Sequence, residues 1–300
     1  MTAPIFETQP DTLQATGNLP KRQRIASSMR WVLMSATLLV IGFLVVLLWY
    51  IFSRGWDWLS WGLLTNPPSR KPEKAGLSIA ISGTLWIMSL TLLVAFPIGV
   101  AAAIYLEEYA PKNRWTRMLQ INISNLAGVP SVVYGLLGLG IFVEWMHLGR
   151  VVLAGALTMA LLSLPVIIIS SQEALRAIPW SLREAAYGVG ATRWQVTASH
   201  VLPAAVPGIM TGVILAVSRA IGETAPLLVA GAAGFLTSKP GSFFDSYTTL
   251  PIQIYNWMSR PQAEFRDLAA AGIIVLLALL ISMNLIAIII RQRFSAKTRW

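Results

Sequence analysis

The chain has 300 residues, of which 55% are hydrophobic and only 12% are charged. Soluble domains usually carry about 25% charged residues, so this composition excludes an ordinary water-soluble protein. The formal net charge is +10, and the absence of cysteine excludes disulfides, thiolate catalysis and cysteine-ligated metal.

Six apolar segments predict six transmembrane α-helices, because each reaches the roughly 20 residues that an α-helix needs to cross the hydrocarbon core. Lipid cannot satisfy free backbone N–H and C=O groups, and no segment alternates like a barrel strand. We therefore predict an all-α integral membrane protein. The segments are Trp31–Phe52, Ala75–Leu106, Met118–Val143, Val151–Gln172, Trp194 to about Ala230, and Leu268–Ile290.

The basic residues predict the orientation of these helices. Placing both termini and the second and fourth loops on one side puts 14 basic residues there, against eight on the other side. The positive-inside rule makes that side cytoplasmic, so no nucleic-acid partner is needed to explain the charge. The two histidines, His147 and His200, then lie on opposite sides, and we expect no metal site.

The same reading divides the chain into four parts. Residues 1–30 form a disordered, polar cytoplasmic tail with a basic end next to the membrane. Residues 31–74 hold the first helix and an external loop. Residues 75–290 form the membrane core, with a polar cytoplasmic loop at about 173–203. Residues 291–300 are a basic cytoplasmic tail.

Two segments have unusual patterns. The third apolar segment contains LAGVPSVVYGLLGLG at 126–140. Backbone breaks are tolerated in a membrane only against protein or a water-filled cavity, so we predict that this helix is internal. Close packing through small residues is an equally good account, and both can hold. In the last external loop, residues 248–260 predict a short helix lying at the interface, with an apolar stripe. Its members are Leu250, Ile254, Tyr255, Trp257 and Met258.

The cytoplasmic loop carries EAAYGVGATRWQVTASHVLP at 184–203. Ser181 followed by Glu184 predicts a capping box at the start of a short amphipathic helix. Gly190 supplies a turn with positive φ, and a second helix follows from about 192 to 200. By local pattern alone, this is equally a helix–turn–helix resting on the membrane surface.

The spacing in that loop resembles the EAA loop of ABC importer permeases, with His200 where the pattern usually has isoleucine. The resemblance implies an importer-permease (MetI/MalF-like) fold whose loop docks on a separate ATPase. The chain has no Gly-Lys pair and therefore no Walker A sequence. We expect that it is not an enzyme and holds no cofactor, and that ATP-Mg binds to the partner ATPase. The implied coupling residues are Glu184, Ala185, Ala186, Gly190, Leu202 and Pro203.

A charged pair lies inside the fifth segment. If that segment enters the membrane near Ala205, Arg219 and Glu223 lie near or just past the midplane. Arginine there costs at least about 2.5–3.5 kcal/mol, so such residues usually face a bundle interior or a pathway. Four positions apart, the two are expected on one helix face. They are either a mutually neutralising pair or an anion contact, Arg219, with its counter-charge.

Residues 219–226, RAIGETAP, and 129–136, VPSVVYGL, resemble the phosphate-specific (Pst-type) permeases of bacteria, the PstA type in particular. The resemblance implies import of inorganic phosphate by alternating access in the inner membrane. It implies as partners a related second permease chain, an ATP-binding subunit dimer and an external phosphate-binding protein. The candidate pathway residues are Arg219, Glu223 and Thr224.

Three alternatives remain open. A permease for sulfate, molybdate or phosphonate would share the fold and the loop. An ion-coupled secondary transporter or channel would explain the intramembrane pair and the glycine-broken helix, but not the loop. A membrane enzyme would need a nucleophile–base or metal constellation, and the sequence shows none.

Overall fold

The computed structural model describes residues 18–232 and 234–296, and within them all regular structure is helical. Short π-helical turns at Tyr105–Tyr109, Leu139–Trp145 and Thr197–Val201 extend or join these helices. In chain order the α-helices are α1 (Leu19–Gly55), α2 (Trp61–Thr65), α3 (Ser78–Ile104), α4 (Arg114–Ala127), α5 (Ser131–Gly138), α6 (Val152–Arg176), α7 (Trp180–Gly188), α8 (Arg193–Val196), α9 (Leu202–Gly222), α10 (Ala225–Val229), α11 (Leu250–Met258) and α12 (Ala263–Ala296).

Among the described residues, five helical runs are long and apolar enough to cross a membrane. The pair α4 and α5 qualifies together as a sixth span, although the two helices are bent by 103° at the break between them. The predicted number of spans is therefore confirmed. The third span is not a single helix because Pro130 lacks an N–H and disfavours helical geometry at the residue before it.

The described residues fall into two compact units, one ending at Ser53 and the other beginning at Arg54. The described part of the first unit belongs to α1, whose 37 residues extend over about 55 Å at 1.5 Å per residue. The apolar stretch of this helix is long enough to span a bilayer.

In the second unit, α3, α6 and α9 pack against one another. The central helix, α6, has most of its residues buried, including a run of small side chains that lets its neighbours approach closely. A Cβ at Gly99 of α3 would come within 2.7 Å of the Ile167 side chain of α6. Close packing through small residues is thus how these spans are held together in the absence of water.

The broken third span is internal only in part. In α5, Tyr134, Gly135 and Gly138 are buried, as the prediction of an internal helix requires. In α4 no residue is buried. The prediction therefore holds for one face of the half after Pro130, whose other face is exposed, and was wrong for the half before it, within this chain.

The short helix in the last loop forms at Leu250–Met258, but it is packed inside the protein. Leu250, Ile254 and Trp257 are buried in one cluster with residues of α3 and α12. Tyr255 and Met258 are half exposed, so the five predicted residues do not form one apolar stripe. The interpretation as a surface-lying helix was wrong because the chain enters the core here, where Thr84 Oγ1 accepts a hydrogen bond from Leu250 N at 2.9 Å.

The terminal helices begin and end beyond the predicted spans. Because α1 begins at Leu19, residues 19–30 are helical rather than a disordered tail. At the other end, α12 continues to Ala296 through most of the basic segment. The predictions for residues 1–17 and 297–300 lie outside the described residues.

Candidate functional site

Within residues 173–203, α6 ends at Arg176, and an elbow then follows that is formed by α7, α8 and the π-helical turn after α8. Glu184 and Ala185 are exposed on α7, while Ala186 is buried in the cluster that joins the ends of α3, α6 and α9. The small side chain of Ala186 lets α7 lie directly against this cluster. The helix therefore presents Glu184 and Ala185 outward from a fixed base.

Gly190 makes the turn after α7 in the way that the sequence predicts. Its φ is +84°, a conformation that side chains other than glycine disfavour. The Ala191 N–H donates to the carbonyl of Ala186 and the Gly190 N–H to that of Tyr187, which is the Schellman pattern of a helix end.

The capping box lies at the second helix of the elbow, not at the first. The residue that precedes α7 is Pro179, and no side-chain hydrogen bond caps that helix, so the box predicted from Ser181 and Glu184 was wrong. Proline fixes the chain direction there, and Ser181 is already inside the helix. At α8, Thr192 and Gln195 cap each other's backbone N–H groups.

Leu202 and Pro203 lie in the first turn of α9 rather than in a separate loop. Residues 193–222 form one helical run, with Pro203 in the first turn of α9, where its missing N–H does little harm. His200 lies half-buried in the π-helical turn before it. The second helix of the elbow is therefore continuous with α9.

The outer surface of the elbow carries large apolar side chains. Trp180, Val189 and Trp194 are 63%, 85% and 68% exposed, and Tyr187 is also exposed. Exposed apolar side chains of this kind are typical of surfaces that contact another protein.

At the other end of α9, Arg219 and Glu223 form an ion pair, with 3.3 Å between Nε and Oε1. The Arg219 side chain is 51% exposed and that of Glu223 is 21% exposed. The helix ends at Gly222 and Glu223 is extended, so the prediction that both lie on one helix face was wrong. The chain turns at Glu223 and Thr224 before α10 starts, and the carboxylate folds back onto the guanidinium.

The helix after this turn, α10, packs against α5, the second half of the third span. Gly135 of α5 lies so close to α10 that an added Cβ would be 2.8 Å from Pro226 Cα. Across the other break, the Tyr134 hydroxyl donates to the carbonyl of Leu126 at 2.8 Å and so ties α5 to α4. The two interrupted spans are therefore packed together, and Tyr134 lies in one buried cluster with Ala220, the residue next to Arg219.

Sequence reasoning missed two ion pairs at the base of the elbow. Glu108 pairs with Arg183 at 2.6 Å, both almost fully buried, and Glu107 pairs with Arg176 at 2.8 Å, in a more exposed position. The adjacent glutamates lie in the π-helical turn after α3. No spacing rule connects residues about 70 positions apart, so a single sequence carried no signal for either pair.

Six apolar spans, two of them interrupted next to a charged pair, and an exposed helical elbow are the features of a membrane permease driven from outside the bilayer. Residues 95–300 match the family described as "Binding-protein-dependent transport system inner membrane component". The chain belongs to this family of multi-pass inner-membrane proteins. Its members are transport components rather than enzymes.

Curated relatives cover most of the chain. The chain is 34% identical to the phosphate transport system permease protein PstA of Yersinia pestis over 254 residues, which is 81% of this chain and 83% of that protein. It is 34% identical to PstA 1 of Mycobacterium tuberculosis strain H37Rv, over 83% of this chain and 81% of that protein. The probable ABC transporter permease protein YqgI of Bacillus subtilis is 32% identical, over 83% of this chain and 89% of that protein.

Solved structures confirm the fold class. A bacterial ABC transporter involved in the import of the acidic polysaccharide alginate aligns with a TM-score of 0.59 over 91% of this chain and 99% of that chain, at 17% identity. The MetNI methionine ABC transporter in an inward-facing conformation aligns with a TM-score of 0.58 over 74% of this chain and 98% of that chain, at 18% identity. At these identities the likeness concerns the fold alone, which is that of ABC importer permeases.

Proposed function

We propose that this chain is the membrane-spanning subunit of an ATP-driven importer of inorganic phosphate. The observation that carries the proposal is the half-exposed Arg219 guanidinium, held where two interrupted helices meet. A guanidinium is a planar, permanently charged fork that matches an oxyanion such as phosphate. The relatives named as phosphate transport system permeases favour phosphate among the oxyanions.

In this mechanism Arg219 contacts the anion during passage. About half of its side chain is exposed at the surface of this chain. Because a charged side chain inside a membrane does not face lipid, this surface has to border an aqueous path or a second chain. Glu223 compensates the charge when the pathway is empty, and Thr224 lies at the adjacent turn. The Arg219 guanidinium is therefore paired with Glu223 when the pathway is empty and with the oxyanion when it is occupied.

The elbow links this pathway to ATP hydrolysis on partner subunits. ATP-driven closure of an ATPase dimer displaces the docking surface around Glu184 and Ala185, and α9 carries the movement to Arg219. An external binding protein delivers phosphate, and a related permease chain forms the other half of the pathway. Both termini and the elbow are cytoplasmic in this arrangement, as the distribution of basic residues predicts.

The test is uptake of labelled phosphate at low external concentration, in cells that lack the gene and in cells that carry it again. Selective loss and rescue of phosphate uptake supports the proposal. Labelled sulfate is measured alongside, because Arg219 would also suit that oxyanion. A sulfate defect with intact phosphate uptake contradicts the substrate and leaves the permease role in place.

A further inference from the structure

The side chains of Glu108 and Arg183 form an ion pair that is only 7% and 5% exposed. Arg183 Nη2 donates to Glu108 Oε1 at 2.6 Å, and Nε donates to Oε2 at 3.4 Å. The planar guanidinium thus faces both oxygens of one carboxylate. This forked geometry fixes the relative orientation of the two groups more strictly than a single charge contact does.

Arg183 makes two further bonds. Its Nη1 donates to the carbonyl of Ile178 at 2.9 Å, and its Nη2 to the carbonyl of Leu175 at 3.1 Å. Leu175 is in the last turn of α6, and its carbonyl also accepts a hydrogen bond from the Ile178 N–H at 3.3 Å. A single side chain of α7 therefore joins three elements: α7 itself, the turn after α3 and the end of α6.

Arg183 lies on α7 directly before the exposed residues of that helix. The next residue, Glu184, begins the exposed docking face of the same helix, while Ala186 faces the shared apolar cluster. α7 has little room to slide or rotate against α3 and α6 without breaking bonds of Arg183. Both of those spans pack against α9, which carries Arg219.

Stability alone is a weak reason for such a pair, because a well-packed apolar pair often stabilises a protein as well as a buried ion pair does. The forked, four-bond arrangement instead gives a fixed geometry between a docking helix and two spans. We propose that the Arg183–Glu108 pair is the rigid joint through which displacement of the elbow moves α3 and α6. This inference rests on the proposed function, since it takes an ATPase to displace the elbow.

The chain supplies a matched control next to the joint. Glu107 and Arg176 also pair between the turn after α3 and the end of α6, but the Arg176 side chain is 53% exposed. Neither residue belongs to α7. Neutralising this pair removes charges of the same kind at the neighbouring glutamate without releasing the elbow, and exposed pairs contribute little to stability.

The experiment uses the complete transporter in proteoliposomes, with ATP hydrolysis and phosphate uptake measured together. Arg183→Gln and Glu108→Gln are compared with Arg176→Gln and Glu107→Gln. We expect the first two variants to keep the bound ATPase and its hydrolysis while phosphate moved per ATP falls by about 10-fold or more, because the forked bonds that fix α7 to the turn after α3 are lost. The control variants keep the ratio of the unsubstituted protein.

Two results overturn the proposal. Unchanged transport per ATP in Arg183→Gln shows that the pair transmits nothing. Loss of the ATPase from Arg183→Gln shows that the pair only shapes the docking surface. Arg183→Lys separates the effect of charge from that of geometry, because lysine keeps the charge but lacks the forked guanidinium. If the pair acts as a rigid joint, phosphate moved per ATP in this variant falls well below the value for Arg176→Gln.

A second measurement decides the matter if the variants fail to insert, and it needs no change to the pair. Because the chain has no cysteine, Tyr105→Cys and Ser181→Cys place one spin label in the turn after α3 and one on α7, at two exposed positions outside the pair. A rigid joint predicts the same label distance without nucleotide and with ATP bound. A distance that changes with ATP overturns the joint, while absence of phosphate uptake by the unsubstituted complex contradicts the proposed function instead.

Discussion

The contact between α5 and α10 gives the sharpest test of how the two broken spans are held together. In Gly135→Ala the new Cβ would lie 2.8 Å from Pro226 Cα, 2.9 Å from Pro226 O and 2.9 Å from Val229 Cβ. Two of these atoms belong to the backbone, so they cannot turn away as the end of a flexible side chain would. Since carbon atoms pack best at about 3.5–4.0 Å, the helices have to separate by roughly 0.7 Å or more.

The expected cost of that separation is about 1–3 kcal/mol, the usual range for overpacking a close contact. Alanine also favours a helix over glycine by about 1 kcal/mol, which partly hides the cost. Gly140→Ala keeps this gain without the clash, because no atom lies within 4 Å of its Cβ position. The difference between the two variants therefore isolates the contact, and corresponds to roughly 5- to 150-fold in an equilibrium constant.

The assay is the melting temperature of each purified variant in detergent, together with its level in the membrane and its phosphate uptake. Gly135→Ala is expected to melt at a lower temperature than Gly140→Ala and to transport less per inserted molecule. Equal melting temperatures and equal uptake would refute the close packing of α5 on α10.

Further predictions concern the elbow and the buried last loop. Gly190→Ala forces a positive φ of +84° on alanine, which costs about 1–2 kcal/mol. We expect this variant to insert normally and to show reduced phosphate uptake. The control, Gly188→Ala, has open space for the new Cβ and no positive φ, and should behave as the unsubstituted protein. Thr84→Val removes the acceptor of the buried Leu250 N–H and should destabilise the protein by about 1–3 kcal/mol, read as a lower melting temperature. Thr65→Val, whose hydroxyl is in an exposed position, is the control and should change little.

The spans and the turn of the elbow could be predicted from the sequence because their causes are local. Hydropathy over about 20 residues determines a span, and Gly190 is a glycine because the turn needs a positive φ. Some signals were present but misread. Thr192 and Gln195 have the spacing of a capping box, and Gly222 before Pro226 marks the end of α9.

The remainder depends on contacts between distant parts of the chain. Nothing in the sequence around Glu108 indicates that it pairs with Arg183, 75 positions away. The burial of Trp257 likewise follows from how α11 enters the core between α3 and α12, not from the apolar pattern of α11. Tertiary packing therefore decided the features that periodicity alone assigned wrongly.

The most direct test of the account is phosphate uptake by cells whose only copy of the gene encodes Arg219→Gln. Loss of a charge-assisted contact of about 1.5–3 kcal/mol predicts a fall in uptake of roughly 10- to 150-fold, with normal insertion and assembly. Arg291→Gln is the control, because Arg291 also hydrogen-bonds to α9, through Thr211, but lies away from the two breaks. Normal uptake by Arg219→Gln would contradict the assignment of Arg219 to the phosphate pathway.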